Sequence, residues 1–214
     1  MGYLTGKGTG KLAKVKINLP LLLAASVLPD VDLLLRFLMH RGPTHSIITI
    51  TVFMIPFFII YKRQAIPYYA ALLSHILIGD FFTGGIQLFW PVSNNWFGAT
   101  NFTVRSMPIV VTELALFALT LPFMYKLGDL QTLFKPHNKN WALIIPLGAV
   151  LGPLLSIGVG SESAIPTLLV IPSLFYVGIF SYSIYVDLKA SHNRDKEKPP
   201  PIKKPQPNPR IAST

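Results

Sequence analysis

Two carboxylates, Asp30 and Asp32, two imidazoles, His40 and His45, and the guanidinium of Arg41 fall within seventeen residues, Asp30 to Ser46. They lie between segments apolar enough to enter a membrane, where an unpaired charge costs several kcal/mol or more. Such a group of side chains needs a partner, and a bound metal ion is one that meets the need. Aspartate and histidine together offer oxygen and nitrogen ligands suited to zinc, manganese or iron, and the chain has no cysteine to offer a softer site. His75 and Asp80 extend the set, because both lie inside an otherwise apolar run, Ala70 to Phe82, where an ionisable residue marks function by default. The candidate ligands are therefore Asp30, Asp32, His40, His45, His75 and Asp80. Arg41 is the candidate for binding an anion, since its planar fork matches phosphate oxygens. Thr44 and Ser46 are candidate hydrogen-bond donors or helix caps beside the ligands, because no neighbouring base marks either as a nucleophile.

Other roles for these residues stay open. Asp32 and Arg36 stand at i, i+4 on a helix starting near Pro29, so they can form a simple ion pair. His75 and Asp80 are five residues apart, which puts them about 140° apart on an ideal helix; they share a face only if Gly79 admits a local bulge. Glu113 fits either a further ligand or a partly hydrated interfacial carboxylate.

The elements that must position these groups are membrane helices. The chain of 214 residues is 51% hydrophobic and 13% charged, with a mean hydropathy of +0.49, which excludes an ordinary soluble domain. We expect an all-α, polytopic bundle of about six transmembrane segments: Pro20–Met39, broken near Pro29, then Thr44–Ile60, Pro67–Phe82, Pro108–Tyr125, Trp141–Val159 and Ile165–Val186. Residues 1–16 are expected as a basic, Gly-rich cytoplasmic tail, 17–187 as the transmembrane domain, and 188–214 as a disordered, basic, Pro-rich tail. Thr83 to Met107, with Trp90, Trp96 and Phe97, is expected as an interfacial loop over the mouth of the bundle.

Counted over alternate connections, 16 of the lysines and arginines fall on one side of such a bundle and 3 on the other. The positive-inside rule then places both termini in the cytoplasm of a multi-pass plasma-membrane protein. It also accounts for the net charge of +10 without nucleic acid as a partner. In this arrangement the candidate ligands all converge on the outer leaflet.

The motifs Leu28-Pro29-Asp30-Val31-Asp32, His40-Arg41-Gly42-Pro43-Thr44-His45-Ser46, Ser74-His75 with Gly79-Asp80 and Thr83, and Gly85-Ile86 leading to Trp90-Pro91 resemble, in order, those of the YdjM-like family of membrane-bound metal-dependent hydrolases. The resemblance covers roughly residues 20–110 and implies a multi-pass membrane hydrolase with a divalent metal ion, zinc or manganese. The matching polar positions are Asp30, Asp32, His40, Arg41, Thr44, His45, His75 and Asp80. In that family the third-span histidine and aspartate are usually one residue closer together than they are in this chain.

The first expectation is thus a hydrolase in which metal-activated water, its pKa lowered towards ~7, attacks an ester. Arg41 would stabilise the developing charge, and Thr44 would support the site. A position in the outer leaflet points to membrane lipids as partners, and to a lipid or lipid-linked phosphoester as substrate. Two other classes compete: a transporter or proton and cation pathway built on the same His and Asp residues, and a non-catalytic scaffold whose polar cluster locks helices together.

Overall fold

A computed structural model of the chain describes residues 1–34, 38–100, 102–155 and 166–197. The regular elements among these residues are all helical, joined by turns and by the long loop 83–106, and the nearest thing to a strand among them is an isolated antiparallel bridge between Ile86 and Phe97.

The amino-terminal stretch, expected as a tail, is a packed helix, α1 (Gly2–Ala13). Glycine-rich sequence forms helix poorly on its own, at a cost of roughly 1 kcal/mol per glycine relative to alanine. Here the glycines serve packing. Gly2, Gly6 and Gly10 are buried on one face at i, i+4 and i+8, and a Cβ at these positions would run into Ser26, Leu22 and Ile17 respectively. Their lack of side chains lets α1 lie directly on the next helix. A second tie is polar: the Tyr3 hydroxyl donates to Asp129 at 2.6 Å, and the Lys7 ammonium lies 2.7 Å from the same carboxylate. Burial, reinforced by Asp129, pushes the Tyr3 phenol above its usual pKa. Lys14, in the left-handed conformation with φ 54°, ends the helix.

Helix α2 (Leu19–Ala25) starts from Asn18, whose side chain accepts from the Leu21 N–H, with Pro20 in its first turn. It is apolar all round and correspondingly buried. It stops at Ala25, and a 3₁₀ turn, Leu28–Leu34, follows with Pro29 as its second residue. Arg36, the proposed partner of Asp32, lies outside the described residues.

Helices α3 (Ile47–Tyr61) and α4 (Ile66–Ser74) form a hairpin. Lys62, at φ 50°, breaks the helix, and the 3₁₀ turn Lys62–Ala65 reverses the chain. The arms meet where Phe58 packs edge-on to Tyr69 at 5.4 Å and where the Thr51 and Tyr69 hydroxyls lie 2.8 Å apart. Beyond α4 the chain continues as a π-helical turn, His75–Gly79, and a 3₁₀ turn, Asp80–Phe82.

Helix α5 (Met107–Lys126) is followed by the short α6 (Asp129–Leu133), α7 (Ile144–Leu154) and the long α8 (Val170–Glu197). Ser183 of α8 donates to the Leu133 carbonyl, while the Asn140 amide donates to the Ser183 carbonyl, which ties α8 to α6 and to the 3₁₀ turn at Asn140 at one end of the bundle. The main core joins Tyr3, Leu22, Ala71, Met124, Leu143 and Phe180 from distant parts of the chain. A second cluster, including Ile50, Met54, Leu72, Ile76 and Ile86, underlies the polar site.

Among the described residues, three helical stretches are long and apolar enough to cross a membrane: Ile47–Phe82, which folds back at Lys62, Met107–Lys126 and Thr167–Arg194. Their outward faces carry exposed apolar side chains such as Phe53, Val111, Leu119 and Ile171, as a lipid-facing surface requires. Of the expected carboxy-terminal tail, the residues up to Glu197 continue α8, and 198–214 lie outside the described residues.

Candidate metal centre

Apart from His40, which stands in a turn, each candidate ligand is delivered by a terminus or an irregularity of a helix. Asp30 and Asp32 come from the 3₁₀ turn that follows α2. His45 closes a second 3₁₀ turn, Pro43–His45, immediately before α3. Ser46 caps α3, accepting from the Ile48 and Thr49 N–H groups while donating to the Trp90 carbonyl at 2.6 Å. It thereby fixes both the start of the helix beside His45 and the loop above it.

The π turn at His75–Gly79 answers the spacing problem of the third segment. A π turn repeats at i to i+5, so it aligns two residues that an α-helix would hold well apart. His75 and Asp80 consequently face each other, with Nε2 and Oδ2 3.0 Å apart. The five-residue spacing that an α-helix would not align is absorbed in that turn.

Four side chains converge. His45 Nε2 lies 3.4 Å from Asp30 Oδ1 and 3.2 Å from Asp80 Oδ2, and His75 Nε2 lies 3.3 Å from Asp30 Oδ1. One potential ligand atom from each of Asp30, His45, His75 and Asp80 falls within 4.8 Å of all the others. His45 is fully buried and the other three are largely so. Although His45 Nε2 and Asp80 Oδ2 are close, neither has a hydrogen-bond partner among the described residues. Buried polar atoms are normally satisfied. Two that are not, aimed at a common point with two further ligands, fit a cation between them, and two imidazoles with two carboxylates suit zinc, manganese or iron.

Asp32 occupies the other side of His45. Its Oδ2 accepts from the Thr44 hydroxyl at 2.8 Å and from the Arg41 N–H at 3.1 Å, and lies 3.3 Å from His45 Nδ1; its Oδ1 lies 3.0 Å from His40 Nδ1. The single hydroxyl proton of Thr44 goes to Asp32, so the 3.0 Å contact between Thr44 and His45 Nδ1 has the imidazole as donor. That tautomer leaves the Nε2 lone pair of His45 facing Asp30, His75 and Asp80. Asp32, His40 and His45 are also close enough together to hold an ion. However, the oxygens of Asp32 are already engaged, which suits a carboxylate that orients a ligating histidine.

Arg41 sits between the cluster and the loop. Its backbone is left-handed, φ 63°, unusual for a residue with a side chain. In that conformation its N–H reaches Asp32 and its carbonyl accepts from the Gln87 N–H at 3.0 Å. Its Nη2 donates to Thr83 at 2.8 Å and lies 3.1 Å from Asp80 Oδ1, while Nε is buried without a partner among the described residues. A side chain at Gly84, itself at φ 98°, would crowd Arg41 Nη1. Thr83 and Gly84 were assigned no role from sequence, though Thr83 stands within the matched motif. Glu113 is exposed on α5 and does not belong to the group of four.

A family model described as YdjM inner membrane protein matches residues 1–179. The chain belongs to this family. The match extends well beyond the motif-bearing region in both directions, so α1 and the start of α8 are part of what the chain shares with YdjM proteins. No curated protein and no solved structure matches the chain.

Proposed function

We propose that this YdjM-family protein is a metal-dependent hydrolase of the plasma membrane that cleaves a lipid or lipid-linked phosphoester at the outer leaflet. The observation that carries this reading is the pair of buried, unpartnered atoms His45 Nε2 and Asp80 Oδ2, which converge with Asp30 and His75. A divalent ion at that point, zinc or manganese, would supply a Lewis acid and a bound water acidic enough to act near neutral pH. The charge of two ligating carboxylates offsets that of the ion. Asp32 and Thr44 hold His45 in the ligating tautomer. The guanidinium of Arg41, bound to Asp80 and Thr83, binds and orients an anionic phosphate and stabilises charge that develops on it.

The orientation is part of the proposal. The hairpin carries the polar cluster at its open end and Lys62 and Arg63 at its tip. Lys126, Lys135 and Lys139 belong with the tip, since they flank α6 and the 3₁₀ turn that meets α8 at Ser183. With that basic end in the cytoplasm, the cluster faces outward. The expected count of about six crossings, with the first broken at Pro29, belongs to the same proposal. Met1 is the exception to the expected topology: Gly2 packs on Ser26, just before Asp30, so α1 starts at the cluster end and runs towards the tip.

The test is hydrolysis of phospholipid and lipid-linked phosphate substrates by purified protein. The expected result is activity that chelation abolishes, that zinc or manganese restores, and that Arg41→Lys lowers without loss of metal. Activity indifferent to chelation and to Arg41 would overturn the proposal.

A further inference from the structure

A groove of about 750 Å³ runs along α2 between the hairpin and the 3₁₀ turn Asn140–Leu143. It does not involve the metal centre. Its deep part is apolar, lined by Ala25, Leu28, Met54, Phe57 and Leu72. Its other end, at the hairpin tip, is polar, with Lys16, Asn18, Gln64, His137 and Lys139. The groove is thus graded along its length, apolar towards the metal centre and basic away from it.

The charges at the basic end are uneven. Asp129 also reaches the groove, but its carboxylate is taken by Lys7 and Tyr3. Lys16 and Lys139 have no acidic partner among the described residues. Tyr61 and Trp141 stand exposed on the same rim, the residue types that sit at the level of lipid headgroups. Two ammonium groups without counter-charges, beside interfacial aromatic rings and above an apolar trough, match a single amphiphile: an anionic head with hydrocarbon chains. The gradient also fixes its direction, because a lipid with its phosphate at the metal centre would have its charged and apolar parts reversed.

We propose that this groove is a binding site for an anionic phospholipid, its phosphate at Lys16 and Lys139 and its acyl chains along α2 and α3. The bound lipid is a resident partner of the fold and is separate from the substrate of the metal centre. Basic pockets between membrane helices recognise phosphate heads in this way.

Native mass spectrometry of the full chain in detergent, supplied with equal amounts of phosphatidylglycerol and phosphatidylcholine of matched chain length, tests the proposal. We expect phosphatidylglycerol to be retained roughly thirtyfold better, the ordinary effect of two lysines near an anionic head. Replacing both lysines by glutamine should remove the preference, while Lys16→Arg with Lys139→Arg should keep it. His45→Ala should leave it unchanged, so the outcome is independent of the metal centre. Equal retention of the two lipids by the unaltered protein would overturn the proposal, as would a preference that survives the glutamine pair. Displacement of the lipid by water-soluble glycerol phosphate at equal concentration would also overturn it, since it would show that the chains add nothing.

Discussion

Asp32 Oδ2 and His45 Nδ1 lie 3.3 Å apart, on the face of the imidazole opposite to the one that meets Asp30, His75 and Asp80. The pair makes His45 the hinge of the site, its two nitrogens serving two different purposes. Replacing Asp32 by asparagine keeps the shape but removes the charge that holds the ring. Metal affinity should fall by roughly 10- to 100-fold, the usual effect of losing such a partner. Competition with a chelator of known affinity measures it; unchanged affinity would mean that Asp32 does not orient the ligand.

The π turn makes a geometric prediction. Deleting Gly79 converts the i to i+5 relation of His75 and Asp80 into i to i+4, which an α-helix also places on one face. The deletion should keep metal binding within a few-fold. Inserting one alanine after Gly79 should abolish it, because residues six apart stand about 120° apart on an α-helix and about 12 Å apart along a 3₁₀-helix, so their side chains no longer meet. Loss of metal in both variants would show that the turn does more than set the register.

The glycines of α1 differ in a way that thermal unfolding in detergent can read. A Cβ at Gly6 would collide with Leu22, whereas at Gly8 it would meet nothing within 4 Å. Gly8→Ala should therefore stabilise by roughly 0.5–1 kcal/mol through helix propensity alone. Gly6→Leu should destabilise by about 1–3 kcal/mol, the range for overpacking, and release α1 to proteolysis.

Tyr3 adds a test with pH. Its hydroxyl is buried and donates to Asp129, so Tyr3→Phe should cost about 1 kcal/mol. Because the folded state holds this phenol above its ordinary value of 10.0, the unfolded chain loses the proton first as pH rises. The contribution of this group is fully present and independent of pH around neutrality, and it is lost progressively as pH rises past 10.0. Tyr3→Phe should make that decline shallower, as measured by unfolding between neutral and alkaline pH; an identical slope would show that Tyr3 does not contribute.

Much of the site was legible in the sequence because its parts are local and chemically distinctive. Charged residues in apolar surroundings stand out, and the need for a bulge at Gly79 follows from counting residues per turn. The division of labour within the cluster was not legible. Asp30 and Asp32 are two residues apart and identical in kind, yet one faces the convergence point and the other braces His45 from behind. Only the three-dimensional path of residues 40–46, with Arg41 in its left-handed conformation, decides that. The fold was readable as a helical membrane bundle from hydropathy. Hydropathy said nothing of α1, whose burial rests on glycines rather than on apolar side chains, although their i, i+4, i+8 spacing was a usable signal. The hairpin tip at Lys62 was marked by its charges.

The central claim is that Asp30, His45, His75 and Asp80 hold a metal ion. Elemental analysis of protein purified without chelator tests it most directly, alongside His45→Ala and His75→Ala that remain folded and membrane-inserted. The account predicts stoichiometric zinc or manganese in the unaltered protein and its loss in both variants. Protein that is free of divalent metal, and stays so after incubation with zinc and manganese, would contradict it.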